Sequence, residues 1–115
     1  MLALNITGLK MQVDENMHKY IMRRLGHLDR LLPRDDREAA HGEVRLKETS
    51  GEGKNDASCE MTLHIPGTTL VAKETTLNTY AAIDIVYNEL KSQINKYTDQ
   101  ELDGRTGRLF RRHRS

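Results

Sequence analysis

Tyr80-Ala81-Ala82-Ile83-Asp84, inside the longer stretch Pro66 to Tyr97, is where this sequence changes period. Before it, Leu70 and Ala72 alternate with Val71 and Lys73, a strand pattern. After Asn78 the apolar residues fall at Tyr80, Ile83, Val86, Tyr87, Leu90, Ile94 and Tyr97. Spacings of three and four draw one stripe along a helix of about five turns. Asn78 suits the cap of that helix, because its side-chain oxygen can accept a free N–H of the first turn. Ala81 and Ala82 are small enough to let the helix approach a sheet closely, with the Tyr80 ring as anchor. A strand thus hands over to a helix, and the rest of the chain reads as the remaining sheet and one more helix.

Upstream, Leu2, Leu4 and Ile6 alternate with Ala3, Asn5 and Thr7 as in a half-buried strand, and Gly8 ends it. Asp14 and Glu15 then open a helix whose buried stripe is Met17, Tyr20, Ile21, Leu25, Leu28 and Leu32, with Pro33 as its stop. A strand followed by a helix predicts that the next strand lies parallel to the first. Arg34 to Ala40 is charged and aperiodic, a connection. His41 to Thr49 alternates Val44 and Leu46 with Arg45 and Lys47. Ser50 to Asp56 is turn chemistry, and its Gly-Glu-Gly-Lys lacks the spacing of a phosphate-binding loop. Ala57, Cys59, Met61, Leu63 and Ile65 alternate with polar residues in the clearest strand of the chain, and Pro66-Gly67 turns into a fourth strand, Thr69 to Glu74. The order is β-α-β-β-β-α. The predicted fold is α+β, a mixed four-stranded sheet with two helices packed on one face and polar residues on the other.

A chain of 115 residues makes one domain. A single cysteine excludes an internal disulfide and a Cys-rich zinc site, and it suits a reducing cytoplasm. No signal peptide or membrane span is legible. Eighteen Lys and Arg against seventeen Asp and Glu conceal an asymmetry. Five arginines and no acid lie between Arg105 and Ser115, which leaves thirteen basic against seventeen acidic residues, a net of −4, in the first 104. Residues 1–98 read as the folded domain and 99–115 as a basic C-terminal tail, disordered when unbound.

An enzyme finds no support: the five histidines are scattered, and no nucleophile, base or metal-ligand set has useful spacing. Cys59 sits on the apolar side of its strand, where an inert buried thiol is expected. No cofactor, metal or small-molecule substrate is implied. Asp84 is read as support for the helix dipole or as a local hydrogen-bond partner. Basic residues are the better lead. Lys19, Arg23, His27, Arg30, Arg34 and Arg37 recur at three or four residues with Arg24 beside them, and the second helix carries Lys91 and Lys96. Such a stripe suits phosphates or simply a solvated face. In the tail, Arg105, Arg108, Arg111, Arg112 and Arg114 surround Leu109 and Phe110, the single Phe. Arginine can grip phosphates while Phe stacks on an unpaired base; a solubility tail or a protein-docking peptide fits the same composition.

Thr62-Leu63-His64-Ile65-Pro66-Gly67, Leu70-Val71-Ala72, Asn78-Thr79-Tyr80-Ala81-Ala82-Ile83-Asp84 and Leu4-Asn5-Ile6-Thr7-Gly8 together resemble the ribosome hibernation promoting factor family. The likeness runs from residue 2 to 97, with extra residues between Pro33 and Asp56. It implies the same β-α-β-β-β-α order and a cytoplasmic protein that binds the small ribosomal subunit, at its 16S rRNA, in the channel for messenger and transfer RNA. Such a factor holds the 70S ribosome inactive under stress. The resemblance also implies that Arg23, Arg24, His27, Arg30 and Lys96 face ribosomal RNA, whereas Glu89, Ser92 and Thr98 stand where relatives usually carry Lys or Arg. It further implies a short-type member, a plug for which a separate factor would supply any pairing of ribosomes. Relatives labelled modulators of a transcription sigma factor keep a protein-binding role open, and the layout keeps open a general structured-RNA binder.

Overall fold

The computed structural model describes the backbone of residues 1–51 and 54–114 and the side chains of residues 1–49 and 56–99. Four strands, β1 (Ala3–Leu9), β2 (His41–Gly51), β3 (Lys54–Ile65) and β4 (Thr68–Thr76), form one sheet in that order. β1 and β2 are parallel, with Ile6 opposite Val44, and the two following pairs are antiparallel. Helices α1 (Glu15–Arg24) and α3 (Thr79–Arg114) pack against one face, with a single-turn α2 (Arg34–Arg37) between α1 and β2. The predicted α+β arrangement is the observed one.

Period-two alternation decides which side chains meet the helices. Val44, Leu46, Cys59, Met61, Leu63 and Ala72 from the sheet close on Ile21 from α1, on Leu25 at its C-terminal cap, and on Ala82, Ile83, Val86, Leu90 and Ile94 from α3. Cys59 is fully buried there, and burial pushes its thiol up to about 12. Each helix begins as its sequence predicts. Asp14 accepts from the Met17 N–H at 2.8 Å, and Asn78 Oδ1 accepts from Tyr80 and Ala81 at 2.8 and 3.2 Å. β4 is tied to α3 by Gln93, which donates to the Val71 carbonyl, and by the Tyr97 hydroxyl, which donates to the Pro66 carbonyl. Gly67, at φ +88°, makes the turn between β3 and β4 that a side chain would strain.

Some boundaries differ from the sequence reading. β2 and β3 continue past Thr49 and start before Ala57, pairing as far as Gly51 opposite Lys54. The first helix, expected to reach Pro33, ends at Arg24. The cause is tertiary. The Gly26 carbonyl accepts from the Leu2 N–H at 2.8 Å, so the start of β1 takes an acceptor that a longer helix would use internally. A Cβ at Gly26 would lie 2.3 Å from the Met22 carbonyl oxygen. A 3₁₀ turn over Leu28–Leu31 follows and keeps Leu25, Leu28 and Leu32 buried without α-helical geometry. Helical backbone in α3 runs to Arg114, beyond Tyr97 where the apolar period ends. The side chains that would define a tail from 100 onward lie outside the described residues.

Replacing Gly26 by Ala forces that turn open and is expected to cost about 1–3 kcal/mol, read as a lowered urea midpoint at unchanged slope. Cys59 in the native protein should resist a disulfide-exchange reagent at pH 8 and react at once in denaturant; rapid native labelling would contradict its burial.

Candidate nucleic-acid interface

α1 and α3 meet along a polar seam. The Tyr20 hydroxyl donates to Asp84 Oδ1 at 2.5 Å, and Arg24 Nε donates to the same oxygen at 2.9 Å. The Arg24 guanidinium lies over the Tyr87 ring, 4.8 Å from its centroid, and Tyr20 meets Tyr80 edge to face at 5.0 Å. Two residues of α1 one turn apart therefore grip three of α3. Burial opposes the Arg24 charge, but the hydrogen bond and charge of Asp84 outweigh it and raise its pKa. The hydrogen bond to the Asp84 carboxylate raises the Tyr20 hydroxyl above its ordinary 10.0, so it stays a donor. Sequence reasoning gave Asp84 a helix-dipole or local role. Its observed partners are 60 and 64 residues away, and no periodicity within α3 could have named them.

The basic residues distribute around this seam. Arg23 is exposed, and helical spacing places it beside Tyr20 and Lys19 on the outer surface of α1. Lys91 is exposed and continues the α3 line of Asp84 and Tyr87, the two residues that hold Arg24. Lys19 is also exposed and pairs with Glu15 at 3.2 Å, a contact of small worth in water. His27 and Arg30 lie in and beside the 3₁₀ turn, His27 half-buried and Arg30 exposed. Arg34 and Arg37 sit on α2, so the predicted stripe is divided among three short elements. Arg37 is occupied locally, donating to the carbonyls of Leu32 and Arg30. Lys96 is exposed on a different line of α3 from Lys91. Arg105, Arg108, Phe110, Arg111 and Arg112 lie outside the residues whose side chains are described.

Among the described residues no group of three His, Cys, Asp or Glu could hold a metal, and no helix is long and apolar enough to cross a membrane. One more feature escaped the sequence reading. His41 and His64, placed among the scattered histidines, are register partners with stacked rings on the open face of the sheet.

Fold and seam together define a small α+β domain that presents paired helices with a basic border. The chain belongs to the sigma 54 modulation protein / S30EA ribosomal protein family, whose model matches residues 4–101. A ribosome hibernation promotion factor of Lactococcus lactis subsp. cremoris is 31% identical over 97 residues, covering 84% of this chain and 50% of that protein. Its counterpart in Staphylococcus aureus is 28% identical over 97 residues, covering 84% and 48%. The chain thus spans about half the length of these curated relatives. The crystal structure of the Thermus thermophilus Protein Y N-terminal domain superposes with a TM-score of 0.68 at 25% identity, covering 84% of this chain and 99% of that one. A ribosomal subunit interface protein from Coxiella burnetii shares the fold, with a TM-score of 0.68 at 17% identity over 85% of this chain and 99% of that one.

Both partners of the seam are more than one-third exposed, Arg24 at 37% and Asp84 at 39%. After allowance for solvent screening, Asp84→Ala should cost about 1 kcal/mol. Tyr20→Phe should show a distinct pH signature. A raised native pKa contributes stability that is complete below the unfolded value near 10 and is lost as pH rises through the native value. The stability gap between wild type and Tyr20→Phe should therefore be constant to about pH 10 and shrink above it. A gap that widens with pH in denaturant melts would contradict the Tyr20–Asp84 bond.

Proposed function

We propose that this chain binds the small ribosomal subunit at its 16S rRNA, in the channel used by messenger and transfer RNA, and so holds the 70S ribosome inactive in the cytoplasm. The observation that carries this reading is the α1–α3 seam, where Asp84 and Tyr87 hold Arg24 in place and the same two helices expose Arg23 and Lys91, on a domain that is otherwise acidic. Membership of the family and relatives named for ribosome hibernation support it. The role is binding and occlusion, without catalysis. His27 and Arg30 extend the basic edge past the end of α1, and Lys19 and Lys96 add charge on the flanks.

Residues 99–115 act in this reading as a basic arm that continues the backbone of α3 as far as Arg114. Glu89, Ser92 and Thr98 leave α3 poorer in cations than is usual in the family, and phosphate binding scales with the charges paired. Arg105, Arg108, Arg111 and Arg112 restore that attraction, and Phe110 stacks on an unpaired base.

Cosedimentation with vacant ribosomes across a salt series tests both parts. Saturable binding near one per small subunit, weakened by salt and competed by messenger and initiator transfer RNA, is expected. Replacing Arg23 and Lys91 by Ala should weaken it roughly tenfold or more. Deleting residues 105–115 should flatten the salt dependence. A folded protein that fails to cosediment at low salt would refute ribosome binding, and salt-insensitive capture of a transcription factor would move the assignment to protein binding.

A further inference from the structure

Opposite the helices, the open face of the sheet carries a row of residues that the α1–α3 seam does not use. Register sets Ala3, His41, His64 and Thr69 side by side across the four strands. The His41 and His64 rings stack with centroids 4.7 Å apart and planes 21° from parallel. His64 is held at both nitrogens: Nε2 is 3.0 Å from Glu43 Oε2, and Nδ1 is 3.4 Å from the Thr69 hydroxyl. A carboxylate only accepts, so in the neutral ring Nε2–H donates to Glu43, and Nδ1 accepts from Thr69. The same hydrogen bond keeps the Glu43 carboxyl below its usual range, so Glu43 remains ionised.

His64 covers one face of His41. The other face turns toward β1, where the register partner is Ala3, a single methyl group. An open cavity of about 510 Å³ lies there, bounded by Ala3, Asn5, His41, Glu43, His64 and the backbone of Gly42. Its shape is a shelf: a small floor, one aromatic wall already backed by a second ring, and polar groups along one side. A planar heteroaromatic laid over Ala3 would extend the imidazole stack. Its amino edge would meet the Glu43 carboxylate, an acceptor, and the Asn5 amide, which both donates and accepts. Four residues along β2 from His41, roughly 13 Å by strand rise, stand Arg45 and its register neighbourhood of Lys73 and Lys47. Arg45 is 68% exposed and 3.7 Å from Glu60, a loose pair that a phosphate could displace.

We propose that this shelf is a stacking site for an unpaired nucleobase, seated on the outer face of His41 with its amino edge toward Glu43 and Asn5. In a nucleic-acid strand the backbone would continue toward Arg45, Lys73 and Lys47. The site lies across the sheet from the α1–α3 seam and does not rest on the ribosome-binding reading.

NMR titration of the full chain tests it without ribosomes, following the Ala3 methyl and the His41 and His64 ring protons. The probes are cytidine and adenosine monophosphates, a single-stranded RNA hexamer of mixed A and C, and an abasic hexamer of equal charge. The bases should shift these signals, and the abasic strand should bind roughly tenfold more weakly than the hexamer. Ala3→Leu fills the shelf but leaves the histidine pair, and His41→Ala removes the wall; each should weaken hexamer binding roughly tenfold. A hexamer much tighter than the monophosphates identifies a strand as the ligand. Equal affinity identifies a free nucleotide, and either result supports the base site. Equal binding of abasic and normal hexamers, or wild-type affinity in folded Ala3→Leu, would overturn it.

Discussion

Everything in this molecule depends on a four-stranded sheet that has helices on one face alone. A strand alternates its side chains, so each of the four must keep one parity apolar and is free to vary the other. Val44, Leu46, Cys59, Met61 and Leu63 meet that demand without interruption and are fully buried. The opposite parity holds His41, Arg45, Glu60, His64 and Lys73. A one-residue slip between β2 and β3 would bury those charges and expose the core, so the constraint that builds the fold also fixes which functional groups are neighbours on the open side.

The helices need a second constraint, because apolar stripes alone let them slide or rotate on the sheet. Asp84 supplies it. One carboxylate oxygen takes hydrogen bonds from two α1 side chains, Tyr20 and Arg24, while Tyr87 lies beneath the guanidinium. Aromatic, ionic and hydrogen-bonded contacts at one place set the rotation of α1 relative to α3, and with it the positions of Arg23 and Lys91. Partial exposure keeps the energetic worth of this node modest. Its larger effect is geometric, since it specifies one arrangement of two surfaces that hydrophobic burial leaves under-determined.

How much of this was legible in the sequence follows from the range of each interaction. The alternation of β3, the change of period after Asn78, the Asp14 and Asn78 caps and the parallel pairing of β1 with β2 all arise within a few residues or from strong topological rules, and they were read correctly. The end of α1 was not, because the Gly26 carbonyl is claimed by Leu2, at the far end of a connection that carries no local signal. Asp84 was assigned too small a role for the same reason. The candidate basic residues were legible as composition. Their surroundings were not: Arg24 is held by Asp84 and Tyr87 of α3, while Arg37 is spent on the carbonyls of Leu32 and Arg30. The histidine pair needs the observed hairpin register, in which Gly51 faces Lys54 and His41 faces His64; a turn spanning Ser50–Asp56, as read from the sequence, sets His41 opposite Ile65.

An arginine paired with an aspartate is a weak attractor for a distant phosphate, and Arg24 is so paired. In the proposed ribosome-binding reading, attraction at range comes from Arg23 and Lys91, which pair with no acid among the described residues, whereas Arg24 acts at contact. Among the described residues its Nε alone is hydrogen-bonded, to Asp84. The terminal nitrogens keep donors for an acceptor that arrives, and the guanidinium is already ordered by Asp84 and Tyr87. Ordering a long side chain in advance removes part of the entropy that binding would otherwise lose. The acidic partner therefore trades long-range attraction for a pre-set donor, which fits the proposed role of docking on a shaped polyanionic surface.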